Sequence, residues 1–457
     1  MNVEILARIQ FAFTISFHYI YPPLSIGLGV MLVLLEGMYL RTGDKAYEKL
    51  TRFWIRIFAL IFGIGVATGI VMEFEFGTNW AAYSRYVGDI FGSALAAEGI
   101  FAFALESGFL GILIFGWNRV GQRMHFFATL MVALGSIFSA VWIVVANSWQ
   151  QTPAGFHIVS RNGVLRAEVT DFWAMVFNPS SVDRLLHVVV GAFLAGSFLV
   201  LSVHAYYIYK NRHIQLSHKA FKIALVFASI SALLQLLLGS ISAEGVSRNQ
   251  PAKLAAFEGH YDSLAPADLY LLGWVNQEKQ EVTGMKIPNG LTFLLHQDFV
   301  TPVKGLNAFP ADFRPPQVNF VFQTYHLMVA IGLFLIALTL YALFLWWRGK
   351  LFSRKWLMLL FTFSVFMPQL ANQLGWYSAE VGRQPWVVYG LLRTSDALSK
   401  SVKAEQVLFS LIMFTLIYAL LFALFLYLLD RKIKHGFEEP DNEKNSVASG
   451  PDNPLKY

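Results

Sequence analysis

Long apolar stretches alternate with short polar ones along the whole chain. The apolar stretches fall at roughly 11–40, 53–74, 92–118, 126–149, 184–208, 220–242, 319–347, 356–376 and 406–429. Crossing about 30 Å of hydrocarbon takes about 20 helical residues at 1.5 Å each, so every one of them can span a bilayer. None alternates apolar and polar residues with period two, which argues against a β-barrel. The pattern predicts an all-α polytopic membrane protein of about nine transmembrane helices. Helices 1–6 fall within residues 1–242, an extended loop within 243–318, helices 7–9 within 319–430, and a polar tail within 431–457. The end of that tail, EEPDNEKNSVASGPDNPLKY, has the composition of a disordered segment. No internal repeat is evident.

The polar connections sort by charge. Segments 41–56, 118–125, 209–222, 347–355 and 430–436 are rich in Lys and Arg, whereas 75–91, 150–183, 243–318 and 377–405 mix signs. Basic loops stay in the cytoplasm, so this alternation places the N-terminus outside and the C-terminus inside. The opening MNVEILARIQ has no strongly basic region and no small-residue cleavage site follows, so it reads as an uncleaved first span.

Composition agrees: 56% of the residues are hydrophobic and 14% charged, with a mean hydropathy of +0.51. The formal charge of +6 sits in the short loops and is no nucleic-acid footprint. The absence of cysteine excludes disulfides, thiolate-held iron–sulfur clusters, a haem thiolate and c-type haem attachment.

Against that background a few ionisable residues stand out. His18, His187, Glu98 and Glu106 lie within apolar stretches. Such groups are costly in hydrocarbon and mark ion or electron paths. A neutral histidine offers a lone pair to iron, and a carboxylate can relay a proton. The plain alternatives are a packing histidine bonded to a carbonyl and a glutamate bonded across helices, with Ser139 as a candidate partner. On a regular helix Glu98 and Glu106 lie about 12 Å apart along the axis and about 80° apart around it, so both can line one channel. The pair Pro22-Pro23 interrupts the first stretch just after His18.

Met328 lies at a depth similar to His187 in another stretch. A His/Met pair fills both axial positions of a low-spin haem. His326 competes with Met328, while His204 reads as interfacial near the cytoplasmic end. Glu380 and Arg383 form either a surface ion pair or a carboxylate aimed at a metal beside a propionate partner. Lys253 and Glu258 are either solvated loop charges or a site for the polar head of a lipid-soluble substrate. By topology His18, His187, Met328 and Glu380 all fall in the outer part of the bilayer.

The segments RIQFAFTISFHYIYPPLSIG, GVATGIVMEFEFGTNW, YVGDIFGSALAAEGIFAFALES, WIVVANSWQQTP, QPAKLAAFE and GWYSAEVGRQPW occur in this order in a known family. Over residues 1 to about 430 the chain resembles subunit I of the cytochrome bd-type quinol oxidases, in the form with a short quinol loop. The resemblance implies a low-spin haem b, a high-spin haem b, and a haem d or a further haem b in its place. It assigns His187 and Met328 to the low-spin haem and His18 and Glu380 to the two high-spin haems. Glu98 and Glu106 become proton-path carboxylates and Lys253 and Glu258 quinol-loop residues. Arg383 becomes a propionate partner and Trp376 a ring between haems. His326 stands where long-loop relatives carry arginine. The implied activity is oxidation of quinol at the outer face and reduction of O₂ to water with cytoplasmic protons, without pumping. A second integral subunit, room for a small single-span subunit, and a bacterial cytoplasmic (inner) membrane are implied as well. The type of quinone and the haem carried by His18 stay open. Two rival readings are a proton-coupled transporter without haem, which would show inverted repeats, and a b-type quinol dehydrogenase that does not reduce O₂.

Overall fold

The structure is a computed structural model that describes residues 2–437; the polar end from 438 to 457 lies outside the described residues. The first helix, α1 (Val3–His18), is capped by Asn2, whose side chain accepts from the Glu4 N–H at 2.8 Å. It stops at Tyr19, and α2 (Tyr21–Thr42) begins with Pro22 and Pro23 in its first turn. A missing N–H is harmless there, so the prolines start a new helix rather than kink an old one. The first apolar stretch is therefore two helices, with His18 at their junction.

Asp44 caps α3 (Lys45–Thr78) by accepting from the Ala46 N–H. The short α4 (Ala81–Tyr86) leads into α5 (Gly88–Glu98), which continues through a π-helical turn at Gly99–Phe103 into α6 (Ala104–Phe115). After α7 (Gln122–Gln151) comes a hairpin of β1 (Phe156–Arg161) and β2 (Val164–Val169), then α8 (Phe172–Val176). The hairpin turns on Asn162 and Gly163, with φ of 52° and 76°. Asn-Gly favours that left-handed pair, whose twist matches the strands.

Two long helices follow, α9 (Ser181–Tyr209) and α10 (Ile214–Asn249). The extended loop then folds into α11 (Pro251–Glu258), a hairpin of β3 (Leu269–Asn276) and β4 (Glu281–Ile287), and α12 (Gly290–His296). Next come α13 (Val318–Trp347), α14 (Lys355–Phe363) and α15 (Phe366–Val381). A small hairpin of β5 (Trp386–Val388) and β6 (Leu392–Arg393) precedes α16 (Thr394–Ala397) and α17 (Ala404–His435).

Among the described residues nine helical runs are long and apolar enough to cross a membrane. The all-α reading holds for these spans, while the connections add three two-stranded sheets. All three hairpins join helix ends on one side of the bundle, called here the hairpin end. The basic connections lie at the opposite, basic end. There Lys219 pairs with Asp44, and the Tyr207 hydroxyl donates to the Ile433 carbonyl at 2.6 Å.

Helix α9 is the hub. Its most apolar stretch is 72% buried, against 11% for α17 and 17% for the α5–α6 run. That centrality overturns one expectation. His204 is wholly buried rather than interfacial. Its Nε2 accepts from Trp54 Nε1 at 3.1 Å, and its Nδ1 lies 3.2 Å from the Ser217 hydroxyl. Even the end of α9 is wrapped by neighbouring helices.

Without a hydrophobic drive between helices in lipid, close van der Waals packing carries association, and small residues permit it. Gly27 of α2 and Gly196 of α9 meet backbone to backbone. A Cβ on Gly196 would sit 2.2 Å from the Gly27 carbonyl carbon, an atom that cannot swing away. Gly196→Ala should therefore destabilise the bundle by at least about 1–3 kcal/mol. Gly63→Ala, where a Cβ meets open space, should not. Thermal unfolding of both variants in detergent checks this, and equal midpoints would refute the packing argument.

Candidate functional site

The densest polar cluster lies at the hairpin end, around Glu380 near the end of α15. Asn147 and Gln151, one turn apart on α7, each donate to Glu380 Oε1 at 3.1 Å. Arg383, one turn after Glu380, donates to Oε2. Arg184 of α9 donates to Asn147 Oδ1 at 2.5 Å and stacks over the Trp376 ring at 5.7 Å. Trp376 also meets Tyr19 edge-on at 5.5 Å. Arg383 reaches Gln150 at 3.2 Å, and Gln150 donates in turn to Tyr83.

Lys253 belongs to this same cluster. Its amine donates to Gln151 Oε1, so one amide side chain separates it from Glu380. Both Lys253 and Glu258 are buried, at 2% and 3% exposure. The solvated-loop alternative fails because α11 packs against α10 and α13 in an apolar cluster of its own. Burial, and then Arg184 and Arg383, push the Lys253 amine well below its ordinary value. Burial raises the Glu258 carboxyl to about 8, and its Oε2 has no partner. His326 lies 3.9 Å from that oxygen. Its ring nitrogens face the carbonyls of Phe322 and Tyr270 at 2.9 and 2.8 Å. Both nitrogens are turned to backbone carbonyls, and the ring ties β3 to α13.

His187, about 9 Å into α9 from the hairpin end, faces Gln235 of α10, whose amide nitrogen lies 3.1 Å from His187 Nε2. A Cβ on Gly239 would touch the same ring at 3.7 Å. Met328, about 15 Å into α13, packs on α15, where a Cβ on Gly375 would lie 2.8 Å from its sulfur. His18 meets α3. Its Nδ1 is 3.0 Å from the Thr68 hydroxyl, and that hydroxyl also approaches the carbonyls of Ile64 and Gly65 at 3.0 Å. A hydroxyl that spends its proton on a carbonyl can only accept from His18, so Nδ1 carries the hydrogen and Nε2 keeps a lone pair. Gly69 lies under the ring, with a hypothetical Cβ at 3.3 Å.

Glu98 and Glu106 both face α7. Ser139 donates to Glu98 at 2.5 Å and Ser136 donates to Glu106. The regular-helix angle of about 80° does not apply, because the π turn at Gly99–Phe103 lies between the two carboxylates. One extra residue in a turn rewinds the helix by about 100°, which brings them to within about 20° of each other. Two serines one turn apart on α7 can thus serve both. Interhelical bonding to serine is what the plain alternative foresaw, and it is compatible with proton transfer.

Sequence reading missed Arg184, Asn147, Gln150, Gln151, Thr68 and Gln235. Arg184 left a signal, a permanent cation one turn before His187 at the start of a span. The amides left a weaker one, a polar run closing an apolar stretch. Thr68 left none.

The implied haems can be tested against these residues. Among the described residues no three His, Cys, Asp or Glu side chains converge as a protein-only metal site requires. Separate single donors suit an iron whose other ligands come from a macrocycle. Two arginines, Arg383 buried and Arg184 half-buried, cluster around one carboxylate, an excess of positive charge that suits propionates. Arg184 Nε and Gln235 Oε1 are buried without partners. Glycines lie beside His18, His187 and Met328, at Gly69, Gly239 and Gly375. The residues present fit haem.

Ser136→Ala would strip Glu106 of its hydroxyl donor. Leaving a buried carboxyl unsatisfied costs about 1–3 kcal/mol. The thermal midpoint should fall accordingly, and an unchanged midpoint would show that Glu106 finds another donor.

Comparison with known proteins shows the family and the fold. The family described as cytochrome bd terminal oxidase subunit I matches residues 6–437. A Bacillus subtilis (strain 168) protein named cytochrome bd ubiquinol oxidase subunit 1 is 38% identical over 99% of this chain and 98% of its own length. Cytochrome bd-II ubiquinol oxidase subunit 1 of Escherichia coli (strain K12) is 33% identical over 97% of this chain and 99% of its own. That alignment runs over 511 positions, more than the 457 residues here, so the relative carries segments without a counterpart. The solved structure of bd oxidase from Geobacillus thermodenitrificans superimposes with a TM-score of 0.87 at 30% identity, covering 95% of this chain and all of that one. The chain belongs to the cytochrome bd terminal oxidase subunit I family and is a multi-pass protein of the bacterial inner membrane.

Proposed function

We propose that this chain oxidises quinol at its hairpin end and delivers the electrons to O₂, which is reduced to water with protons drawn from the basic end. One observation carries the reading: Lys253 of the loop and Glu380 of the bundle share Gln151, so the quinol side and the haem side meet through a single side chain. The transporter reading has no support in the family, and no inverted repeat is evident in the sequence. The dehydrogenase reading leaves His18 and Glu380 without a role.

His187 and Met328 would hold the low-spin haem b and leave it no open position. His18, through Nε2, and Glu380 would each hold one high-spin haem, one of type b and the other of type d or a further b. Bound there, the haems supply the electron-carrying irons and an open coordination position for O₂. Arg184 and Arg383 neutralise negative charge at the hairpin end, and Trp376 packs between Tyr19 and Arg184. A second integral subunit belongs to this reading, and a small single-span subunit is compatible with it.

The chain's own residues handle protons. Lys253 and Glu258 accept them from the quinol hydroxyls and release them at the hairpin end, the outer face by the charge of the loops. Glu106, near mid-membrane, passes protons to Glu98, nearer the hairpin end. Electrons from one face then meet protons from the other, and each charge moved against 100 mV stores about 2.3 kcal/mol without a pump.

Reduced-minus-oxidised spectra of the purified complex test the whole reading, and an absence of haem bands would sink it. In Met328→Leu only the low-spin bands should shift or vanish. Retention of those bands would transfer the ligand role to another residue.

Glu258 supplies a pH test. With its carboxyl raised to about 8, it is neutral at pH 7 and becomes a proton-accepting carboxylate as pH rises. Quinol oxidation should climb through about pH 8 and then level, and Glu258→Gln should lose that limb. A limb that survives in the variant rules Glu258 out as the acceptor.

A further inference from the structure

Glu36 of α2 and His125 of α7 form a hydrogen-bonded pair buried between helices in the half of the bundle toward the basic end, each 1% exposed. Glu36 Oε1 lies 2.6 Å from His125 Nδ1, and Oε2 accepts from the Thr129 hydroxyl at 2.5 Å. On the far side of the ring, Nε2 faces the Leu113 carbonyl of α6 at 3.1 Å. A carbonyl only accepts, so Nε2 carries a hydrogen. The contact with Glu36 then holds one further proton, on the imidazole or on the carboxyl. Neither the haem ligands nor the quinol residues touch this pair. For stability alone, an apolar pair of the same volume would often serve as well as a buried polar pair of this kind.

Its placement gives it a use. Helix α7 presents three hydroxyls along one side, and each meets a carboxylate from another helix: Thr129 with Glu36, Ser136 with Glu106, and Ser139 with Glu98. Thr129 lies two turns, about 10.5 Å, from Ser136. Leu113, whose carbonyl His125 engages, lies the same two turns from Glu106 on α6. Two or three hydrogen-bonded waters at about 2.8 Å spacing cover such a gap.

Toward the basic end, the Trp117 ring packs on His125 at a centroid distance of 4.0 Å, and the Arg52 guanidinium packs on Trp117 at 4.5 Å. Trp117 sits in the short turn between α6 and α7, and its indole N–H is buried without a partner. The other polar groups on this route are Glu48 of α3, paired with Arg52 and Lys45, and Tyr39 of α2, which accepts from Gln122 of α7 at 2.9 Å.

We propose that the Glu36–His125 pair, covered by Trp117, takes up protons from the basic end and passes them to Glu106. The proposal rests on the oxidase reading above and extends it to the entry of the path. A proton reaching the pair displaces the one already held, which leaves toward Glu106. Only O–H and N–H bonds form and break, and no electron moves.

The test uses the complete haem-loaded complex. Glu36→Gln keeps the size and the hydrogen-bonding capacity of the side chain but cannot be ionised. It should retain the parent's haem spectrum and its anaerobic rate of haem reduction by quinol, while O₂ turnover falls about tenfold or more. Glu36→Asp should restore turnover to within about threefold. A structural role predicts the reverse, with Gln tolerated and the shorter Asp harmful. Turnover of Glu36→Gln within about twofold of the parent overturns the proposal. If Glu36→Gln assembles without haem, Thr129→Val decides, since it removes only the hydroxyl on Oε2. A fall of about threefold or more supports the proposal, and parental turnover overturns it. A parent complex with haem bands and quinol-driven O₂ uptake keeps the two failures apart, because the oxidase reading then stands whatever the variants do. A parent without them takes both readings down.

Discussion

The carboxylate of Glu380 organises the hairpin end of this protein. Hydrocarbon hydrates nothing, so a carboxylate near a span's end must find its donors in the chain itself. Glu380 finds them on α7, in Asn147 and Gln151, and on its own chain in Arg383. Those donors bring others. Asn147 accepts from Arg184 of α9, and Gln151 from Lys253 of α11. One half-buried carboxylate thus fixes four parts of the chain against one another. Removing a partner would leave an uncompensated charge, a far larger loss than the bond itself.

The same rule shapes the bundle's interior. Glu98, Glu106 and Glu36 each meet a hydroxyl of α7, and His18 meets Thr68. Each of these four groups has a hydrogen-bonding partner on a neighbouring helix, whereas Glu75 of α3, also buried, has neither oxygen partnered. In the loop, Oε2 of Glu258 is likewise without a partner.

The spans were legible in the sequence because apolar length is a one-dimensional property. His18, His187, Glu98 and Glu106 were legible because charge is rare in such stretches, and Glu380 through the family motif GWYSAEVGRQPW. Three things were not. The break at Tyr19 was only hinted at by Pro22-Pro23, since prolines mark a helix start as readily as a kink. The burial of Lys253, Glu258 and His204 depends on what folds over them, which local composition does not encode. Arg184, Gln151 and Thr68 acquire meaning only from partners remote in sequence. The hairpin at Asn162-Gly163 was readable from its turn residues, although the apolar pattern drew attention elsewhere.

The π turn between Glu98 and Glu106 makes the third span a helix of two phases. Its halves share an axis but not a register, and a single surplus residue sets the offset. Rewinding that turn into regular α-helix with every residue kept would leave composition unchanged and hydrophobic length almost so. It would nevertheless swing Glu98 about 100° away from Ser139 while Glu106 stayed on Ser136. In this helix the winding of one turn, more than the kind of residue in it, keeps two acids on one line.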